Sequence, residues 1–190
     1  MFPNVSRLLI RWGVDKIIGS DLVAHEECNT YYGKDTELIA YSDPKDMVKN
    51  TGFPWWAVRR DHLHAGLVES AKQHGVKFIV DRRVSNLDDS SETVHLETTT
   101  GETYDFDLVI GADGIRSYVR QTLFPGIVLK APSKMAAYRG VLSYSKIFAA
   151  VPEARQYLRN TMDVFAGPRG FILTYPVSGG RDCNIVTAFA

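Results

Sequence analysis

The stretch DLVIGADGIRSYVR, residues 107–120, decides the fold class, because it joins an apolar strand to the start of a helix. The apolar run at residues 108–110 is typical of a strand buried in a parallel sheet. Small residues at 111–114 then turn the chain, and ligands of open α/β sheets collect at this edge of the sheet. The sequence therefore predicts an α/β fold with a candidate ligand site at this turn.

Asp113 gives the turn a carboxylate that can bind a sugar hydroxyl or an ordered water. Gly111, Ala112 and Gly114 let a ligand approach the backbone, and free amide groups at the start of the following helix favour an anion. A plain turn in which Asp113 only caps the helix explains the same residues equally well. From the residues alone, both interpretations stay open.

The remainder of the first half predicts helices and strands around this turn. A first helix, capped by Asn4 or Ser6, ends at Gly13. A second helix begins at Asp61, with Leu67 on its apolar face, and ends at residues 74–75. Strands are predicted at residues 76–80 and, as a hairpin, at residues 94–106. Residues 16–50 give no clear pattern.

The second half predicts strands separated by turns. They lie at residues 136–144, 164–165, 171–177 and 185–189, with a short helix at residues 151–159. This half is typical of one side of a mostly antiparallel sheet. A domain boundary is therefore expected near residue 130.

Composition and charge narrow the function classes. Lys+Arg and Asp+Glu both number 22, so neither nucleic acid nor an anionic membrane surface is favoured as a partner. No apolar run in the sequence is long enough to span a membrane. Cys28 and Cys183 match no disulfide framework and no metal spacing, so we expect free thiols, a cytoplasmic location and no metal site. The five histidines, His25 among them, show no ligand spacing and no pairing with a nucleophile.

The pattern GADGxxSxVR at residues 111–120 resembles the DG motif of FAD-dependent aromatic-ring hydroxylases, the flavoprotein monooxygenases that include salicylate hydroxylase and para-hydroxybenzoate hydroxylase. Asp113, Gly114, Ser117 and Arg120 match this motif. In that family the motif lies beside the FAD pyrophosphate and has been linked to the use of NAD(P)H. The resemblance therefore implies that these four residues bind the cofactor.

Other segments resemble the same family. PNVSRLLIRWGV at residues 3–14 is similar to its PN-x-x-R-x-L helix, and VRRDHLHAGL at residues 58–67 is similar to its H-R-x-x-L segment. AAYRG at residues 136–140 and TYPVSGG at residues 174–180 resemble the opening of its substrate domain. The similarity is greatest to fungal hydroxylases of phenolic and polyketide-derived compounds.

This resemblance implies a partial glutathione-reductase-like FAD-binding domain at residues 1–130 and the start of a β-rich substrate-binding domain at residues 131–190. The family also carries GxGxxG in its first strand–helix unit and G-D-A-A-H after the substrate domain, and neither occurs in this sequence. We therefore expect the chain to be a piece that lacks both ends of the flavin site. A shortened gene model and a truncated relative both explain that.

Arg60 is the candidate for FAD contact outside the DG motif. A cation at a helix start is disfavoured by roughly 0.3–1 kcal/mol, which points to an anion nearby. A surface arginine paired with Asp61 or Glu69 is the alternative. The resemblance favours FAD, because Arg60 matches the arginine of H-R-x-x-L.

Arg139 and Tyr175 are the candidate catalytic residues. Arg139 stands in an apolar strand, where a buried guanidinium needs a partner, whereas an arginine on the solvent face of an edge strand needs none. The resemblance implies that Arg139 orients the phenolate of the substrate and that Tyr175 also acts on the substrate. By itself, a tyrosine in a strand is more often a packing residue.

The resemblance implies an enzyme, an FAD-dependent monooxygenase that hydroxylates a phenolic or polyketide-derived aromatic compound with NAD(P)H and O2. Two alternatives stay open. One is a non-catalytic remnant that does not bind FAD, and the other is a different flavoenzyme with the same DG motif, such as a halogenase or a dehydrogenase. The 190 residues alone are expected to be inactive.

Overall fold

A computed structural model describes residues 1–128 and 135–189 of the chain. It divides into a larger unit, Met1–Val76 with Ser133–Ala190, and a smaller unit, Lys77–Pro132. The domain boundary expected near residue 130 lies outside the described residues and stays a prediction. No helix within the two described ranges is long and apolar enough to cross a membrane.

The elements are numbered here in chain order. The α-helices are α1 (Pro3–Arg11), α2 (Val14–Ile18), α3 (Pro44–Thr51), α4 (Arg60–Gln73), α5 (Tyr118–Leu123) and α6 (Tyr144–Ala150). Short 3₁₀ turns lie at Gly19–Asp21 and Pro152–Gln156. The strands are β1 (Val23–Ala24), β2 (Cys28–Tyr32), β3 (Leu38–Ser42), β4 (Trp56–Ala57), β5 (Val84–Asp88), β6 (Val94–Thr98), β7 (Thr103–Phe106), β8 (Ala136–Ser143), β9 (Met162–Gly167), β10 (Gly170–Val177) and β11 (Asp182–Phe189). The chain thus has the predicted α/β class.

The first predicted helix is confirmed as α1, but its predicted cap is wrong. Phe2 occupies the N-cap position, and no side chain bonds to the free amides there. The Ser6 hydroxyl is buried and donates instead to the carbonyl oxygen of Pro54, at 2.6 Å. The Ser6 side chain therefore bonds to a distant segment and does not cap the helix, although the local pattern predicts a cap.

The second predicted helix is confirmed as α4, although a different face is buried. Gly66 and Ser70 are buried, whereas Leu67 is exposed. A Cβ atom on Gly66 would lie 2.8 Å from Cγ1 of Ile18, so α4 packs closely onto α2. The small residues set the contact face, because they allow the two helix backbones to approach.

A six-stranded sheet of order β3-β2-β9-β10-β11-β8 forms the main sheet of the larger unit. The strands β9, β10, β11 and β8 pair antiparallel, which confirms the predicted arrangement of the second half. The strand β2 joins them in parallel to β9 and brings β3 with it, both from residues 16–50, where the sequence predicts nothing. The helix α6 was also not predicted, and only Pro152–Gln156 of the helix predicted at 151–159 is helical, as a 3₁₀ turn.

The smaller unit contains the antiparallel sheet β5-β6-β7 and the helix α5. The predicted hairpin is confirmed as β6 and β7, which turn at Gly101 with a φ of 82°. The strands predicted at residues 76–80 and 108–110 are wrong, since neither run is paired in the described ranges. Val80 and Ile110 are 72% and 81% exposed. Apolar β-branched runs form strands only where a neighbouring strand completes the hydrogen bonds.

Candidate functional site

The DG turn precedes α5 and is closed by its own side chains. Gly114 has a φ of 84°, a left-handed conformation that favours glycine. The Asp113 carboxylate accepts hydrogen bonds from the Ser117 hydroxyl at 2.5 Å, from the Tyr118 amide at 2.6 Å and from the Val119 amide at 3.2 Å. The bond from Ser117 and then those from the backbone lower the pKa of Asp113. Asp113 is therefore an ionised helix cap.

Ser117 and Arg120 complete the same turn. The Ser117 hydroxyl oxygen accepts from the Arg120 amide at 3.0 Å, and the Arg120 guanidinium donates to the carbonyl oxygen of Ile115 at 2.7 Å. All four DG residues thus lie in one hydrogen-bonded unit. The first amides of α5 are already bonded within it, so the expectation of free amides for an anion is wrong. The reason is that the side chains of Asp113 and Ser117 themselves accept the hydrogen bonds from these amides.

A cavity of about 760 Å³ lies beside the DG turn within the smaller unit. Its lining residues include Arg83 and Arg116, as well as Arg82, which is ion-paired with Glu102. A Cβ atom on Gly111 would lie 2.7 Å from Cγ1 of Val119, so the turn packs closely onto α5 only as glycine. Positive side chains are a donor set that fits a diphosphate. The residues present therefore fit the FAD pyrophosphate that the DG motif implies.

Arg60 is the first residue of α4 and lies in the larger unit, whereas the DG turn lies in the smaller unit. Its neighbour Arg59 pairs with Asp61 at 2.8 Å and with Asp182 at 3.5 Å. The Arg60 side chain is exposed and makes no ion pair or hydrogen bond within residues 1–128 and 135–189. The alternative in which Arg60 pairs with Asp61 or Glu69 is therefore not found among the described residues.

Arg139 and Tyr175 lie on the same face of the six-stranded sheet. Arg139 on β8 pairs with Val186 on β11, which pairs with Leu173 on β10, two residues before Tyr175. Directly opposed residues, and residues two apart on a strand, share a face. Burial raises the pKa of the Tyr175 hydroxyl, and the positive charge of Arg139 opposes this rise. The strand β8 lies at the sheet edge and Arg139 is exposed, so the expected buried guanidinium is not found and the alternative of an exposed arginine on an edge strand is.

Tyr175 packs into an aromatic cluster that includes a histidine. The His25 ring meets the Tyr175 ring edge to face at 5.9 Å and the Trp55 ring at 5.8 Å. His25 is only 5% exposed, and neither ring nitrogen has a hydrogen-bond partner in the described part of the chain. Burial, and to a lesser degree the positive N-terminal amine, lowers the pKa of His25 to about 4. His25 is therefore neutral at pH 7.

Two polar residues of this sheet face were missed from the sequence. His25 shows no ligand spacing in the sequence, and Asn184 belongs to no motif. The Nδ2 atom of Asn184 is buried without a hydrogen-bond partner among the described residues. Asn184 is directly opposite Tyr175, a position that only the strand register reveals. No pattern in the sequence carries that signal.

The arrangement provides a cation and a phenol on one sheet face, which suits the binding of an anionic aromatic molecule. Within residues 1–128 and 135–189, no group of His, Cys, Asp or Glu is placed to hold a metal ion. Cys28 and Cys183 are both free thiols.

Comparison with known proteins gives one matching family model, described as "FAD binding domain", over residues 7–172. An FAD-dependent monooxygenase of Beauveria bassiana is 27% identical over 187 residues, which are 97% of this chain and 44% of that protein. A 3-hydroxybenzoate 6-hydroxylase of Aquipseudomonas alcaligenes is 32% identical over 149 residues, which are 76% of this chain and 43% of that protein. The chain thus spans less than half the length of these relatives.

Solved structures share the fold. A salicylate hydroxylase in complex with its substrate superposes with a TM-score of 0.79 at 22% identity, over 100% of this chain and 47% of that one. The HpxO protein of Klebsiella pneumoniae, complexed with FAD and uric acid, superposes with a TM-score of 0.81 at 18% identity, over 99% and 46%.

Proposed function

Because this chain belongs to the FAD binding domain family, we propose that it acts as part of an FAD-dependent monooxygenase that hydroxylates a phenolic or polyketide-derived aromatic compound. The observation that carries the proposal is the placement of Arg139 and Tyr175 on the same face of the sheet, on strands separated only by β11. The names of the relatives, an FAD-dependent monooxygenase and a 3-hydroxybenzoate 6-hydroxylase, support it. NAD(P)H and O2 are the proposed co-substrates, and the proposed location is the cytoplasm.

The protein's part in this reaction is to hold and orient the aromatic ring. The Arg139 guanidinium pairs with the phenolate oxygen, which keeps the ring electron-rich and therefore reactive toward an electrophilic oxygen. Tyr175 donates from its hydroxyl, since burial keeps that group protonated. The buried Val23, Ala57 and Val177 pack against Tyr175 and keep water from this side of it. FAD, if bound, would supply the redox chemistry that activates O2 with electrons from NAD(P)H.

Arg60 and the DG turn are proposed to hold FAD. The Arg60 guanidinium, which has no partner among the residues that the structure describes, provides a charge for a phosphate oxygen. The DG turn provides a rigid backbone, and the adjacent cavity contributes Arg83 and Arg116. Asp113, Gly114, Ser117 and Arg120 support this site by fixing the shape of the turn. In this proposal their role is positional, because their polar groups are already bonded to one another.

The test uses the completed enzyme, meaning residues 1–190 joined to the flanking segments of a full-length relative. Loaded with FAD and given NAD(P)H, labelled O2 and a phenolic acid, it should place one labelled oxygen atom on the ring. The Arg139→Ala variant should keep FAD but lose at least about a hundredfold in kcat/KM, because the phenolate is left without its partner.

The matched control is Arg169→Ala, which removes an exposed arginine from the turn between β9 and β10. It should leave kcat/KM unchanged. Unlabelled product, or full activity of the Arg139→Ala variant, would contradict the proposal. A halogenated or dehydrogenated product, which carries no label from O2, would identify a different flavoenzyme.

A further inference from the structure

The Tyr175 ring, proposed to act on the substrate, is in contact with a buried histidine. The His25 ring meets it at a centroid distance of 5.9 Å and an interplanar angle of 88°. The same histidine ring meets the Trp55 ring at 5.8 Å and 80°. Edge-to-face arrangements of this kind are among those that aromatic pairs prefer. His25 therefore bears directly on the angle at which the Tyr175 ring stands.

Histidine is an unfavourable residue type for packing alone at this position. His25 is only 5% exposed, and neither ring nitrogen has a hydrogen-bond partner among the described residues. A buried polar atom without a partner costs free energy that a phenylalanine ring in the same place would not cost. Residues that break such a packing rule are expected at functional sites. An effect on Tyr175 therefore explains the residue type better than stability does.

A neutral imidazole can restrain a neighbouring ring more firmly than a phenyl group can. It carries one N–H group, and an N–H group is attracted to the face of an aromatic ring. Both aromatic neighbours of His25 lie nearly perpendicular to it, an orientation in which a ring edge meets a ring face. A phenylalanine edge would bring only C–H groups to these contacts.

The orientation of Tyr175 matters because its hydroxyl has to reach the same ligand as Arg139. The two residues share a sheet face and lie on strands separated only by β11. The buried Val23, Ala57 and Val177 pack against Tyr175 but offer it no polar contact. A donor that acts on a bound ring needs a fixed direction, and a residue that fixes this direction raises the rate without touching the substrate.

We propose that His25 is a positioning residue, which holds the Tyr175 ring so that its hydroxyl points toward the substrate bound by Arg139. This inference rests on the proposed function, because that function makes Tyr175 a substrate residue. The cost in stability of the unpartnered imidazole is then offset by the alignment of Tyr175. Such an exchange of stability for activity is common at functional sites.

The first measurement reports the Tyr175 ring itself and needs no turnover. The FAD-loaded completed enzyme is prepared with a ring-fluorinated tyrosine at position 175, which carries a single fluorine on one side of the ring. We expect one fluorine NMR signal from the wild type, because the ring keeps one orientation. His25→Phe and His25→Leu should each give two signals, since a ring that can turn over places the fluorine in two environments.

The second measurement separates positioning from packing. At pH 7, His25→Phe should unfold at the same urea concentration as the wild type or at a higher one, because it lacks the unpartnered nitrogens. Its kcat for a phenolic acid should nevertheless fall about tenfold, with KM within about twofold, since Arg139 still binds the substrate while Tyr175 is misplaced. His25→Leu, which removes the ring altogether, should lose more of its kcat.

The matched control is His64→Phe, the same substitution at an exposed histidine of α4. It should give one fluorine signal and full kcat. One signal in both His25 variants, full kcat in His25→Phe, or a loss of kcat matched by a loss of stability in that variant would overturn the inference. Divided signals without any hydroxylated product would support His25 as a positioning residue while contradicting the proposed function.

Discussion

At the scale of single residues, Asp113 and Arg60 are both proposed cofactor residues, but they differ in whether the charged group already has hydrogen-bond partners among the described residues. The Asp113 carboxylate is engaged by a hydroxyl and two amides, so it stabilises its own turn first. The Arg60 guanidinium has no such partner within the described ranges, although it lies at a helix start that disfavours a cation. An arginine in this position suits an anionic ligand better than it suits the helix.

Arg60→Ala in the completed enzyme should therefore weaken FAD binding about tenfold without lowering the unfolding temperature, because a charge-assisted bond to a phosphate is lost and an unfavourable dipole contact is removed. Flavin content after gel filtration and the Kd for FAD measure the effect. Lys72→Ala, at the other end of α4, is the control and should retain full flavin. Unchanged FAD affinity in Arg60→Ala would show that this arginine is a surface residue.

His25 makes stability depend on pH. The folded chain keeps this ring neutral down to a pKa of about 4, whereas the unfolded chain protonates it near pH 6.5. Between these values the unfolded state binds more protons, so the free energy of unfolding falls as the pH is lowered from 6.5 toward 4, by on the order of 3 kcal/mol. Above pH 6.5 His25 adds no pH dependence.

Urea denaturation of the completed enzyme at pH 7 and pH 4.5 measures this loss. His25→Phe, which keeps an aromatic ring in the cluster, should lose markedly less stability over that interval. His64→Phe replaces an exposed histidine on α4 and should behave as the wild type. A wild-type free energy of unfolding that stays constant between the two pH values would contradict the lowered pKa of His25.

At the scale of elements, the sequence predicted those whose pattern is local. The helices α1 and α4, the hairpin of β6 and β7, and the strands β8, β10 and β11 follow from apolar periodicity and from turn residues such as Gly101. The strands β2 and β3 were not predicted, because their place in the sheet depends on the pairing of β2 with β9, far along the chain. The predicted strand at 108–110 failed for the converse reason, since it has the right residues but no neighbour.

The candidate site shows the same division. The DG residues were found because they are contiguous, and their hydrogen bonds join residues at most six apart. Asn184 and His25 were not found, because their significance lies in a cross-strand register and in a burial that no local spacing encodes.

The contact between α2 and α4 sets two opposing effects against each other at Gly66. Gly66→Ala gains about 1 kcal/mol of helix propensity but places Cβ 2.8 Å from Cγ1 of Ile18, so the net change in unfolding free energy should be small. Gly66→Leu adds three more carbon atoms to the same contact and should destabilise by about 1–3 kcal/mol.

Urea denaturation measures both changes, and Ala65→Leu, on the exposed side of α4, is the control with little expected effect. A Gly66→Leu variant as stable as the wild type would mean that the two helices separate without cost.

At the scale of the whole molecule, the described part of the chain leaves much apolar surface uncovered. Leu108, Ile110, Ile115 and Val80 are each more than two thirds exposed. Large exposed apolar patches lead to association in the absence of a cover. The GxGxxG turn, on which dinucleotide binding in this fold depends, does not occur in the sequence.

Residues 1–190 expressed alone should therefore give a colourless, aggregation-prone protein that retains no flavin. The measurement is the visible absorbance of the flavin after gel filtration, which should be absent from this protein. The completed enzyme serves as the positive control and should be yellow. A soluble yellow product from the 190 residues, with stoichiometric FAD, would refute the prediction and reveal a flavin site built without GxGxxG.

The parallel pairing of β2 with β9 also bears on the order of events during synthesis. Asn29 on β2 donates to Asp163 on β9 at 2.9 Å across a separation of 134 residues, and both side chains are buried. A nascent chain on the ribosome therefore carries β2 and β3 while the residues that separate them from β9 are added, before their partner emerges. At roughly 5–20 residues per second, this wait lasts from several seconds to about half a minute. During that interval β2 has an open edge, which makes the emerging chain a natural client for chaperones.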